Sequence, residues 1–335
     1  MLHKDCPALV RTVMLCFTLF TAISRADSPP LTTNSLVTVI VVIGAAGEDE
    51  YGQNFSRWAQ LWEKACREAG AKQITIGSTN ESQATDYDLL KQALANEQKE
   101  SDSELWLVLL GHGTFDGKEA RYNLRGPDLP ATDLAAWLEP FRRPVALINC
   151  ASSSGAFVSK LSAPGRVVIT ATKSGFEQNY ARIGQFISEA IADPEADLDK
   201  DGQTSLLEAF LTAAYRVAEF YKTEGRLATE HPLLDDNGDG RGTPADWFKG
   251  IRAVKKAAEG ATADGLRAHQ FHLVRSRQER GLSPALRSKR DQLELAVAKL
   301  RESKGQLSED EYYKRLEPLL IELASLYHQT SDKGR

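Results

Sequence analysis

Two hydrophobic rhythms alternate along the chain. Ser35 to Gly44 (SLVTVIVVIG) is an unbroken apolar, β-branched run, the mark of a strand buried on both faces of a parallel sheet. In the next stretch Phe55, Trp58, Trp62, Ala65 and Ala69 recur at intervals of three and four, which predicts an amphipathic helix with Cys66 on its buried side. The exchange continues with strands at 73–76, 104–110, 144–149 and 166–170 and helices at 86–97, 155–161, 180–192 and 205–221, plus a helical turn at 134–138. Strands that keep alternating with helices predict an α/β fold: a doubly wound, mostly parallel sheet flanked by helices. Chemistry in such sheets gathers at the carboxyl ends of the strands.

Both ends of the chain follow different patterns. Lys4 and Arg11 precede an apolar run from Val13 to Ile23 that closes on Ser24, Arg25 and Ala26, which reads as a secretory signal over residues 1–26. The run is too short to span a bilayer, and nothing later reaches about 18 uninterrupted apolar residues. The mature protein is therefore expected to be soluble and exported, secreted or periplasmic. Residues 27–259 are expected to form the α/β domain, and after about Gly260 the composition turns to Ala, Arg, Glu, Lys and Leu. Leu286, Leu293, Val297, Leu300 and Leu307 trace a coiled-coil seam, Ser308 and Glu311 form a capping box, and Tyr312, Leu316, Leu319, Leu323 and Leu326 restart the stripe. This predicts a helical hairpin within 260–335, and the seam leaves open whether it packs on itself, on the sheet domain, or between two copies.

Composition narrows the function classes. A chain of 335 residues with 42% hydrophobic and 26% charged positions can bury a sizeable core. A net charge of −5 without any basic run argues against a nucleic-acid partner. Once the leader is removed only Cys66 and Cys150 remain, so no disulfide framework is expected.

Cys150 stands at the end of a predicted strand, where a small-residue loop begins, and is a candidate nucleophile. The preceding strand runs directly into His112 and Gly113, which places an imidazole and a flexible backbone amide at the same edge of the sheet. An apolar strand ending in His-Gly, followed by another ending in Cys and then Ser and Gly, resembles the caspase-like cysteine peptidases. Val167 to Asn179 (VVITATKSGFEQN) is similar to the legumain-type branch, whose corresponding strand ends in small residues that line the specificity pocket. The resemblance implies His112 as base, Cys150 as nucleophile and the amides of Gly113 and Cys150 as oxyanion hole. It also implies substrate contacts at Thr172 and Asn149. The family's acidic or amide residue two places before the cysteine is replaced by Ile148, while Glu48, Asp49 and Glu50 form an acidic rim that would favour a basic residue at the cleaved bond.

The most regular signal is a calcium loop. Asp197, Asp199, Asp201, Gly202, Gln203, Ser205 and Glu208 fill positions one, three, five, six, seven, nine and twelve of an EF-hand, with the Gln203 carbonyl and both Glu208 oxygens as ligands. Asp235, Asn237 and Asp239 begin a second such loop, with Asp246 at position twelve. That segment reads either as a second ion site or as a glycine turn with Asx bonding. His269 and His272 are spaced to share a helix face, and a solvated surface is the expectation there. Two functions follow from the sequence. One is an exported cysteine endopeptidase that acts on peptide or protein substrates and binds Ca2+. The other is a catalytically silent, calcium-dependent binding module with the same fold.

Overall fold

The apolar runs nucleate the architecture. The computed structural model describes residues 36–78, 83–256 and 262–331. In chain order the first elements are β1 (Thr38–Ile43), α1 (Asp49–Ala69), β2 (Lys72–Ile76), α2 (Asp86–Asn96) and β3 (Leu105–Leu110). The short strands β4 (Gly113–Phe115), β5 (Ala120–Tyr122) and β6 (Leu129–Pro130) then precede α3 (Ala131–Leu138). Next come β7 (Val145–Asn149), α4 (Val158–Leu161), β8 (Arg166–Thr170), α5 (Ile183–Ala190) and α6 (Leu206–Thr223). There follow β9 (Leu233–Asp235), β10 (Thr243–Pro244), the small hairpin of β11 (Phe248–Lys249) and β12 (Arg252–Ala253), α7 (Leu266–His269), α8 (Arg277–Arg280), α9 (Pro284–Glu302) and α10 (Glu309–Ser331).

The main sheet has the order β10-β9-β8-β7-β3-β1-β2. β2, β1, β3, β7 and β8 are parallel, whereas β9 and β10 close one side as an antiparallel hairpin with β10 at the border. Every residue of β1, β3, β7 and β8 is buried, as a sheet covered on both faces requires. Side-chain parity sorts these strands into two layers. Val39, Val41, Trp106, Val108, Ala146 and Ile148 pack on the layer of α1, α5 and α6, while Ile40, Val42, Leu107, Leu109 and Leu147 face α2, α3 and α4.

The helices are held by local signals already visible in the chain. α1 buries Phe55, Trp58, Trp62 and Cys66 and stops at Gly70, whose φ of 64° closes the last turn onto the carbonyls of Cys66 and Arg67. α6 opens on a capping box between Ser205 and Glu208. α9 and α10 pair through Leu293, Val297, Leu300, Tyr312 and Leu326, and a Lys289–Glu322 ion pair joins their exposed flanks. Arg290 to Glu279, and Gln270 to the Asp291 carbonyl, tie this hairpin to the preceding segment.

Two features depart from the expected pattern. β4, β5 and β6 form a separate three-stranded sheet beyond the end of β3, and the second acidic loop is flanked by β9 and β10 rather than by α-helices. Strands of two or three residues carry too few alternating positions to register as a period. The leader at residues 1–26 lies outside the described residues. Among the described residues no helix is long and apolar enough to cross a membrane.

Candidate active site

The ends of β3 and β7 are level. Leu109 pairs with Asn149, so His112 and Ser152 each stand three residues past the same rung. Ser152 Oγ accepts the Gly113 amide at 3.2 Å and donates to the Gly113 carbonyl at 3.0 Å. Only glycine permits this approach, because a Cβ on Gly113 would fall 2.4 Å from the Ser152 carbonyl oxygen. Ser153 follows with φ 59°, a left-handed conformation that costs a non-glycine residue on the order of 1–3 kcal/mol. Its amide is fixed by the Glu177 carbonyl at 2.8 Å.

His112 sits in an aromatic cage. Tyr51, Phe55 and Tyr180 surround its ring at centroid distances of 4.9, 5.2 and 5.8 Å. Nε2 lies 3.2 Å from the Ala46 carbonyl, which can only accept, so Nε2 carries the proton and Nδ1 keeps the lone pair. Burial lowers the pKa of the imidazole from its ordinary value, against the opposing pull of the Ala46 carbonyl. His112 is therefore neutral at pH 7.

Cys150, expected as the nucleophile, is buried. It keeps the parity of Ile148, is 1% exposed, and packs in the layer of α1 and α5, where a Cβ on Gly184 would lie 3.1 Å from its own Cβ. Burial, reinforced by Glu230, pushes the thiol far above its ordinary pKa, opposite to what a catalytic thiolate needs. Its amide is bonded to the Leu109 carbonyl and is not turned toward a substrate oxygen. Among the described residues no hydrogen bond joins Cys150 to His112.

Two expected substrate contacts are also interior. Thr172 is fully buried; its Oγ1 accepts the Gly155 amide at 2.8 Å and donates to the Ser174 carbonyl at 3.0 Å. Asn149 is fully buried as well, with Oδ1 on the Ala151 amide. Both brace the loop from the inside. Glu50 is exposed in the first turn of α1, one residue before Tyr51 of the histidine cage, and so remains on the rim.

Sequence reasoning missed Ser152, Glu177 and Glu230. Glu177 accepts from the Lys173 amide and is paired with His231 beside Ser153. Glu230 is 2% exposed and accepts the amides of Arg182 and Ile183 at the start of α5 together with the Tyr221 hydroxyl. Burial pushes its carboxyl up to about 7 despite those three bonds. Ser152 lies three residues past the last strand position, beyond the reach of strand parity, and no sequence signal marked it.

The first acidic loop brings carboxylates together. Asp197, Asp199 and Glu208 bring carboxylate oxygens within 4.8 Å of one another. Asp197 accepts the amides of Asp201 and Gly202, Asp199 that of Asp201, and Asp201 that of Gln203. Glu208 is fully buried and spans the loop, with Oε1 on the Leu198 and Asp199 amides and Oε2 on the Ser205 amide and hydroxyl. The donor set is all oxygen, which suits Ca2+. His269 closes one side, with Nε2 3.4 Å from Asp199. His272, expected on a solvated face, is instead buried.

No family model matches this chain, and no curated protein matches it. Among solved structures it is similar to the crystal structure of the Drosophila initiator caspase Dronc, at 15% identity over 71% of this chain and 96% of that one, with a TM-score of 0.42. It is also similar to the crystal structure of caspase-1 from Spodoptera frugiperda, at 11% identity over 61% of this chain and 88% of that one, with a TM-score of 0.39.

Proposed function

We propose that this chain is a catalytically silent, calcium-binding module that uses the carboxyl edge of a caspase-like sheet to hold an extended protein segment. The observation that carries this reading is the identity and bonding of Ser152. A hydroxyl occupies the place beside Gly113 and the end of the His112 strand, and its proton is already given to the Gly113 carbonyl. A serine is a weak nucleophile unless a base, itself oriented by a third group, takes that proton. Here the imidazole rests on a carbonyl and its basicity is lowered by burial. The thiol at the same strand end, Cys150, is buried in the core.

The rim suits contact better than chemistry. Phe176 is 75% exposed and packs edge-on against Phe115, next to the loop carrying Ser153 and Glu177. Exposed aromatic surface with polar neighbours is the composition of a binding patch. Calcium in the Asp197–Glu208 loop would neutralise three converging carboxylates and fix the start of α6. The leader pattern at 1–26 supports export, where calcium is plentiful. Placement on the legumain-type side of the superfamily rests on Val167 to Asn179.

One observation favours a hydrolase instead: Nε2 of His112 rests on the Ala46 carbonyl, which assigns the proton to Nε2 and the lone pair to Nδ1, the form a base needs. The deciding experiment offers a positional library of fluorogenic peptides to the full chain, with and without Ca2+, alongside Ser152→Ala and Cys150→Ala. Absence of turnover, with library peptides still retained by the protein, supports the silent module. Turnover abolished by Ser152→Ala would establish a serine-type hydrolase. Turnover abolished by Cys150→Ala and not by Ser152→Ala would restore the cysteine peptidase.

A further inference from the structure

We propose that the turn joining β9 to β10, Asp235 to Arg241, is a second calcium site, with Asp235, Asn237 and Asp239 as its side-chain ligands. The inference is independent of whether the sheet edge binds or cleaves protein. It starts from an orphan atom. Asp235 is fully buried, its Oδ1 accepts the Gly238 amide at 3.1 Å, and its Oδ2 is buried with no hydrogen-bond donor among the described residues. Ser162 and the Gly240 amide stand beside this carboxyl and favour its charged form, but the Gly240 amide is given to Ser162 Oγ at 2.9 Å. A buried carboxylate oxygen without a donor is costly, and a cation is the partner that removes the cost.

The other two buried acids of this region cannot be the reason for the turn's shape. Asp236 is spent on the amides of Gly265 and Ala268, which begin α7. Asp264 accepts the amides of Asp236 and Asn237 and the Thr243 hydroxyl. Both are saturated, so the unpaired oxygen belongs to Asp235 alone.

The backbone repeats the first loop at the positions that aim the ligands. Asn237 Oδ1 accepts the Asp239 amide and Asp239 Oδ1 the Arg241 amide, as Asp199 and Asp201 accept from Asp201 and Gln203. Left-handed residues fall at the same two places, Gly238 (φ 80°) and Gly240 (φ 75°) against Lys200 (φ 63°) and Gly202 (φ 91°). Asn237 is held by its Nδ2 on the Thr262 carbonyl, which leaves its oxygen facing the turn. The Arg241 carbonyl takes position seven, and water completes the shell of six to eight oxygens that calcium takes.

The two sites differ at position twelve. After Arg241 the chain enters β10, where Thr243 pairs with Leu234 and Pro244 with Leu233, so Asp246 is carried down the hairpin away from the turn. With no bidentate acid, the second site is the weaker one, on the order of 10⁻⁴–10⁻³ M, the range of extracellular calcium modules.

The test is a calorimetric calcium titration of the full chain, with ions counted by native mass spectrometry. Wild type should bind a tighter and a weaker ion. Asp239→Ala, at an exposed position, should lose the weaker ion and keep the tighter, and Asp197→Ala/Asp199→Ala should do the reverse. Circular dichroism confirms that each variant is folded, and Asp239→Asn serves if the alanine is not. Retention of both ions in Asp239→Ala, or no ion in a folded first-loop variant at 5 mM Ca2+, on the order of the weaker range, overturns the second site. A wild type that binds only the ion lost in Asp239→Ala would overturn the first loop while upholding this one.

Discussion

Gly113 and Ser152 exchange hydrogen bonds in both directions, amide to hydroxyl and hydroxyl to carbonyl, across the ends of β3 and β7. The pair locks together the two groups that acyl-transfer chemistry would need free: the nucleophile and the amide that would receive an oxyanion. Ser152→Ala should therefore leave the buried Gly113 amide without an acceptor and lower stability by about 1–3 kcal/mol. Urea unfolding of the variant against wild type measures it, and an unchanged midpoint would show the pair to be incidental.

Cysteine reactivity separates the two readings of the strand end. Burial, assisted by Glu63, pushes the Cys66 thiol up to about 12, and Cys150 is pushed higher still. At pH 7.5 neither should be alkylated by iodoacetamide on the timescale of a free thiol. Peptide mass mapping reads both positions. Rapid labelling of wild-type Cys150 would contradict its placement in the core.

Glu230 makes stability depend on pH in a defined direction. Its carboxyl is raised by burial from 4.5 to about 7, so the native state binds the proton more tightly than the unfolded chain. The stabilisation is complete below about pH 4.5 and is lost as pH rises through about 7, on the order of 3 kcal/mol in all. Glu230→Gln keeps an acceptor for the Arg182 and Ile183 amides and removes the titration. Unfolding free energies at pH 5 and pH 8 should diverge less in the variant than in wild type; equal slopes would mean Glu230 stays ionised throughout.

Calcium and the C-terminal helices are mechanically joined. Gln203, inside the first loop, accepts the Ser276 amide through Oε1 at 3.1 Å, and Ser276 caps α8, whose Glu279 holds Arg290 of α9. Chelating calcium should raise amide exchange in α8 and the first half of α9 as well as in the loop. Hydrogen-exchange mass spectrometry with and without EDTA tests this. Loosening confined to residues 197–208 would show that the loop is uncoupled from the hairpin.

Most of the framework was legible because it rests on long signals. The runs at 35–44, 104–110 and 144–149 are long and apolar, and they contain β1, β3 and β7, the buried centre of the sheet. The hairpin of α9 and α10 likewise followed its leucine stripe. What escaped was short or depended on register. β9 and β10 hold three and two residues, too few to display a period. Cys150 drew attention by residue type at a strand end, a signal that carries no information on burial, and Ser152 lies past the strand where no period applies. Asp246 fitted a linear motif that assumes an α-helix leaving the loop, whereas the chain leaves it as the strand Thr243–Pro244 and reaches Asp246 in a short 3-10 turn.

The border formed by β10 limits how copies of this protein can meet. A sheet edge is a row of amides and carbonyls waiting for another strand, and long bare edges invite uncontrolled growth into ribbons. Here the row is two residues long, and the second is Pro244, which has no N–H to offer. A molecule approaching from that side meets a terminated ladder, so the seven-stranded sheet cannot be extended there into a continuous intermolecular one.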